Sequence, residues 1–266
     1  MDRYTYFLTH TDRTIVKNAH YFPIYERYFR RFVGHPITMF EIGTGDGGSC
    51  RMWKHYFGPM ARIVTIDIND LRHFEEPQIF ARTGEQSDPE FPNELPQEFW
   101  PPDIVLDDGS HMMEHINAGF DVLFPRISAA GTYLVEDLDG AYRPSRGGGL
   151  RSPGSFIGQC KTLIDEMNAV YTGGNLSPGA FGEHVISVAF YQMIVAIERA
   201  PFLSRSMMRI PEPNQRIIRS NGIVGSDNEA RQNREPEQIA PDWNREAIQG
   251  RVDLLGKTRL ERVHSG

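Results

Sequence analysis

Two stretches of this 266-residue sequence gather titratable side chains where an apolar run stops. DIVLDDGSHMMEH (103–115) ends its run with Asp107 and Asp108, then passes through Gly109 and Ser110 to His111, Glu114 and His115. VEDLD (135–139) ends another run with Glu136 and Asp137, 28 and 29 residues after Asp108. If both runs are parallel strands, their ends meet at the carboxyl edge of the sheet, where open α/β sheets bind ligands. Asp108, Glu136 and Asp137 then converge. Three carboxylates without a thiolate suit a hard divalent ion such as Mg²⁺, with positions left for water or substrate oxygens. Without a cation they repel one another and raise each other's pKa. The plainer alternative is a set of solvated turn residues or helix caps.

HMMEH (111–115) also matches the H-x-x-E-H pattern of a zinc-peptidase group. That reading needs His111 inside a helix, yet the preceding Asp-Gly-Ser is a turn and cap signal. His115 and Glu114 are therefore expected on a helix surface.

A third stretch, FEIGTGDGGS, spaces Gly43, Gly45 and Gly48 as G-x-G-x-x-G. A strand-like run precedes it, a helix-like run follows, and Asp67 ends the next strand 19 residues after Gly48. Glycines there allow a tight turn and close approach of a ligand, and the acid can accept ribose hydroxyls. The nucleoside is either NAD or S-adenosylmethionine. Glu41, two residues before Gly43, can support the amino-acid portion of a sulfonium ligand. Asp46 puts negative charge where a dinucleotide places its pyrophosphate, and phosphates prefer backbone N–H groups and positive dipoles.

The elements that must position these residues alternate. Strand-like runs cover 37–43, 62–67, 78–82, 103–108 and 132–137, with helix-like stretches at SCRMWKHYF and MEHINAGFDVLF between them. That order implies a parallel sheet with helices on both faces. NAHYFPIYERYFRRF (18–32) reads as an amphipathic helix, and SFIGQCKTLIDEMNAVY (155–171) carries a helical stripe. LDGAYRPSRGGGLRSPGS (138–155) reads as a mobile loop, and HVISVAFYQMIVAIER (184–199) as two antiparallel edge strands broken near Tyr191-Gln192. A single domain over 1–200 is expected, with the loops of 138–183 as lids and 201–266 as a polar extension.

Composition narrows the class. Apolar residues make up 39% and charged residues 24%, as in globular proteins. A net charge of −7 without a dense basic run argues against nucleic acid. No apolar run approaches the roughly 20 residues of a membrane span, and the charged N-terminus does not resemble a signal peptide. Two cysteines without metal spacing point to a reducing cytoplasm.

FEIGTGDGGSCRMWKHYF, TIDIND, GEQSD, DIVLDDGSH and LVEDLDGAY together resemble the metal-dependent sugar O-methyltransferases of macrolide biosynthesis, within the class I S-adenosylmethionine-dependent methyltransferases. TDRTIVKNAHYFPIYERYF resembles that family's lead-in helix. The resemblance spans 9–142 and 190–199. It implies a Rossmann-like, mostly parallel seven-stranded sheet with a terminal antiparallel hairpin. It implies S-adenosylmethionine in the glycine-loop cleft and Mg²⁺ on Asp108, Glu136 and Asp137, with His111 as general base. Asp67 would hold the ribose, and Gln86, Ser87 and Asp88 would lie near the adenine. Glu41, Gly43, Gly45, Ser49 and Asp107 complete the expected cofactor contacts. A saccharide-bearing acceptor and a homo-oligomer, a dimer or higher, are also implied. An O-methyltransferase of a catechol-like vicinal diol would need the same site chemistry, so the acceptor stays open. The family's extra N-terminal elements and the tail after Ala200 have no match, which leaves the oligomer open too.

Overall fold

Short β-branched and aliphatic runs between turn residues form the strands, as their propensities direct. In this computed structural model they are β1 (Thr38–Ile42), β2 (Arg62–Asp67), β3 (Ile79–Thr83), β4 (Ile104–Asp107), β5 (Thr132–Val135), β6 (Val185–Tyr191) and β7 (Ile194–Arg199). The structure describes residues 3–200 apart from 178, 180 and 183, and the backbone of 207–209 and 218–220. The sheet order is β3-β2-β1-β4-β5-β7-β6. Neighbours from β3 to β5 are parallel, while β7 runs antiparallel to both β5 and β6. The break in the 184–199 run falls at Gln192-Met193, which makes the expected hairpin.

Helices cover both faces. They are α1 (Arg3–Thr9), α2 (Phe22–Phe29), α3 (Gly48–Phe57), α4 (Phe91–Glu94), α5 (Met113–Leu123) and α6 (Phe156–Met167). Alternate residues of each strand feed two cores. Phe40, Val64, Val105 and Tyr133 pack toward Phe120 of α5, Phe124 in the 3₁₀ turn that follows it, and Phe156 of α6. Met39, Ile63, Leu106 and Leu134 pack toward Tyr25 and Phe29 of α2 and Trp53 and Phe57 of α3. Full burial of one such aromatic side chain contributes on the order of 1.5–3 kcal/mol. α1 was not legible as an element. It docks through Tyr6, whose ring stacks on His55 of α3 at 4.9 Å.

The Gly- and Arg-rich run after Asp137, expected as a loop, carries local structure of its own. It winds into short 3₁₀ turns at Leu138–Tyr142 and Pro144–Arg146. The backbone N–H groups of Gly148 and Gly149 bond to the carbonyls of Arg143 and Ala141, both at 2.9 Å. Gly147 (φ 79°) and Gly149 (φ 153°) supply backbone conformations that these turns need.

The chain divides into two compact units, 1–202 and 203–266. In the second, β8 (Met207–Arg209) and β9 (Ile218–Ser220) pair antiparallel. The polar extension expected over 201–266 otherwise lies outside the described residues. No helix among the described residues is long and apolar enough to cross a membrane.

Candidate active site

Register brings the functional residues to one edge. Ile42 pairs with Asp107, and Asp107 with Val135, so Gly43, Asp108 and Glu136 leave the sheet at one level. The order reverses between β1 and β4, and a switch point of this kind opens a crevice beyond the strands. At Gly43 (φ 86°) an added Cβ would lie 2.1 Å from the Asp108 carbonyl oxygen, so only glycine lets these strand ends approach.

Two cavities share Gly43. One, of about 480 Å³, is lined by Asp67, Ile68, Asn69, Gln86, Ser110 and His115, among others. The other, of about 310 Å³, is lined by residues 14–17, Gly45, Asp46, Ser49, Asp108, His111 and Asp137. Asp67 joins the glycine loop to the first cavity: its carboxylate accepts the Thr44 N–H at 3.0 Å and the Asn69 N–H at 2.9 Å.

Ligand atoms of Asp108, His111 and Asp137 all lie within 4.8 Å of one another, and this is the potential metal-holding group among the described residues. The two carboxylates fit a hard divalent ion, with the imidazole beside them. His111 precedes α5 and takes a left-handed conformation (φ 56°), as does Asp137 (φ 51°). Both turns aim side chains that a regular strand-to-helix passage would direct elsewhere. The zinc-peptidase pattern therefore fails here, because its two histidines share no helix face.

Glu136 stands apart from that group. Strand parity sends Glu41, Asp108 and Glu136 to the same sheet face, the one covered by α2 and α3. There the Lys17 Nζ lies 2.5 Å from Asp108, 2.8 Å from Glu136 and 3.9 Å from Glu41. Its side chain is 2% exposed. Tyr25 donates its hydroxyl to Glu136, and Tyr21 donates to Asp137 at 2.6 Å. Asn18 adds a bond to Asp137 at 3.1 Å. Burial alone would lower the Lys17 pKa, but Glu136, Asp108 and Glu41 outweigh it and hold the ammonium charged. Burial and the neighbouring Glu136 keep Tyr25 protonated, so it remains a donor.

Glu41 is fully buried behind the smaller cavity rather than on its wall. Its carboxylate accepts from the Trp53 indole at 3.0 Å and the Cys50 thiol at 3.3 Å. Burial raises its pKa. Asp107 faces the other side of the sheet, where Gln86 donates to it and Gly109 N–H lies 3.3 Å away. Burial, with Asp108 adding to it, pushes Asp107 up to about 7. Ser87 and Asp88 do not line the cavity. Ser87 bonds Glu85 at 2.8 Å, and Asp88 accepts the Glu90 N–H at 2.9 Å.

Sequence reading missed two residues. His115 was expected on the helix surface, yet it is half-buried and lines the larger cavity. Only its spacing on α5, one turn past His111, hinted at this. Lys17 gave a fainter signal, a lone cation at the end of the apolar run TIVK.

The seven-stranded sheet and its switch-point cavities have the Rossmann-like architecture of class I S-adenosylmethionine-dependent methyltransferases. Within that class, the chain's homologues are sugar O-methyltransferases of macrolide and tetracenomycin pathways, at 34–38% identity. It is 38% identical over 195 residues to demethylmacrocin O-methyltransferase of Streptomyces fradiae, an alignment covering 68% of this chain and 49% of that one. It is 35% identical over 193 residues to mycinamicin VI 2''-O-methyltransferase of Micromonospora griseorubida, covering 68% and 48%. Among solved structures, the MycE methyltransferase of the mycinamycin biosynthetic pathway, in complex with Mg, SAH and mycinamycin VI, superposes with a TM-score of 0.67 at 31% identity, covering 74% of this chain and 52% of that one. No family model matches the chain. The chain spans about half the length of the curated relatives it matches.

Proposed function

We propose that this protein transfers a methyl group from S-adenosylmethionine to a sugar hydroxyl of a glycosylated small molecule, with Mg²⁺ as resident ion. The observation that carries this reading is the meeting of Asp108, His111 and Asp137 at the rim of the glycine-loop cavity. The relatives' activities and the Mg- and SAH-bound neighbour support it. When bound, Mg²⁺ would lower the pKa of a coordinated hydroxyl and fix its direction.

The chain's own residues do the rest. Asp67 faces the larger cavity and would accept the ribose hydroxyls, with Gln86 and His115 against the base. Gly43, Gly45 and Ser49 would border the amino-acid portion of the donor. Asp108 and Asp137 would hold the ion. His111 would take the proton of the attacking hydroxyl at an imidazole nitrogen, since histidine exchanges protons near neutral pH. A further cavity of about 470 Å³ is lined by Leu138, Tyr142, Phe190, Tyr191 and Met193, among others. Its apolar wall would take the part of the acceptor beyond the sugar. Single-domain organisation of 1–200 and the homo-oligomer remain part of this proposal.

The deciding experiment is transfer of a labelled methyl group across a panel of glycosylated macrolides, simple glycosides and catechols, each with and without Mg²⁺. Metal-dependent labelling of glycosides is expected. Labelling of catechols alone would overturn the sugar assignment.

A further inference from the structure

The acid cluster already contains a cation that belongs to the chain. Lys17 sits in the irregular segment 10–18, outside helix and strand, and reaches two of the three carboxylates expected to hold the metal. An ammonium 2.5 Å from Asp108 occupies a carboxylate oxygen that a divalent ion on Asp108 and Asp137 would need, and its 2.8 Å contact with Glu136 holds it there. Both Glu41 and Glu136 are buried, at 0% and 1% exposure. Buried carboxylates without a counter-charge are strongly unfavourable. A divalent ion bound against the same oxygens would in turn face a buried ammonium and be repelled by it.

We propose that Lys17 is the resident counter-ion of this site, and that loading a divalent ion expels its ammonium from Asp108 and Glu136. This rests on the metal-dependent reading above. The path out is short. Residues 14–17 form one wall of the smaller cavity, and Val16, next to Lys17, is exposed (83%). Lys17 is thus a positioning residue: it orients the carboxylates whenever no ion is bound, and its competition sets the affinity for the ion.

The test uses the full chain and Mg²⁺ alone, without donor or acceptor. Titration calorimetry compares the native protein with Lys17→Met and Lys17→Arg. Removing the competing charge should tighten Mg²⁺ binding by about tenfold or more in Lys17→Met, while Lys17→Arg keeps weak, native-like binding. Affinity in folded Lys17→Met that equals or falls below the native value would overturn the proposal. A second measurement needs no variant: lysine acylation read by peptide mass. Lys17 should be shielded without metal and reactive under saturating Mg²⁺, with Lys54 and Lys161 unchanged. This footprint decides alone if Lys17→Met fails to fold. Bound Mg²⁺ with Lys17 still shielded sinks the counter-ion role and leaves the metal reading standing. Mg²⁺ binding to neither protein removes both.

Discussion

At the scale of single residues, the left-handed turns at His111 and Asp137 carry a definite expectation. Non-glycine residues there are strained, and such strain is kept where surrounding structure fixes it. His111→Ala should lose about 10²–10⁴-fold in turnover, the usual contribution of a general base, while calorimetric affinity for S-adenosylmethionine holds. Loss of donor affinity in step with turnover would assign His111 to binding instead. His111→Asn should be as inactive but melt higher than the alanine variant, because asparagine tolerates this backbone region better. Asp107 gives a pH prediction. Its folded pKa of about 7 lies above the ordinary aspartate value near 3.9. The associated stability is complete below about pH 4 and is lost as pH rises toward 7. Asp107→Asn should abolish this loss, so chemical-denaturation curves of the two proteins should separate by a few kcal/mol at most between those limits. Unchanged separation across that range would mean that Asp107 titrates normally. The acids and His111 were readable because they sit within a few residues of recognisable strand ends. Lys17 was not, because its contacts with Asp108 and Glu136 bridge 91 and 119 residues, and no local pattern encodes such a distance.

At the scale of elements, strands and helices were legible where the period was strong. β2 occupies its expected span, and the hairpin broke one residue from its expected place. Strand parity was available in the sequence but unused. Counting alternate residues from Met39, Leu106 and Leu134 already sends Glu41, Asp108 and Glu136 to one face and Asp107 to the other. That count places Glu41, Asp108 and Glu136 together on the side of α2 and α3, where Lys17 meets all three. α1 was illegible because seven residues without an acidic first turn or a basic last turn carry little helical signal. The glycine turn yields a prediction at this scale. Gly43→Ala forces a Cβ toward the Asp108 carbonyl at a positive φ. The strand ends must then part, so melting temperature and S-adenosylmethionine affinity should fall together. A variant that melts lower yet binds the donor normally would show that the close approach serves stability alone.

At the scale of the whole molecule, metal and fold are linked through mass action. Mg²⁺ at 100 times its Kd should stabilise the chain by about 2.7 kcal/mol, roughly 5–10 °C in a domain of this size. EDTA should reverse the shift and stop methyl transfer. A melting curve indifferent to both would argue that the acid cluster is served by Lys17 alone. Fold class was legible at this scale because alternating elements admit few topologies. The acceptor was not, because the cavity proposed for it draws on the 3₁₀ turn at Leu138–Tyr142 and on the hairpin, which no single motif joins.

The lead-in segment has one more consequence. Arg13 packs over the Phe74 ring at 4.5 Å, and an added Cβ at Gly48 would lie 2.3 Å from the Thr14 carbonyl oxygen. Residues 13–17 are thus pressed against the start of α3 before the first strand begins. The smallest unit that keeps the smaller cavity therefore cannot start at β1. A shortened chain beginning near Ile37 would keep every strand of the sheet and still lack one wall of that cavity.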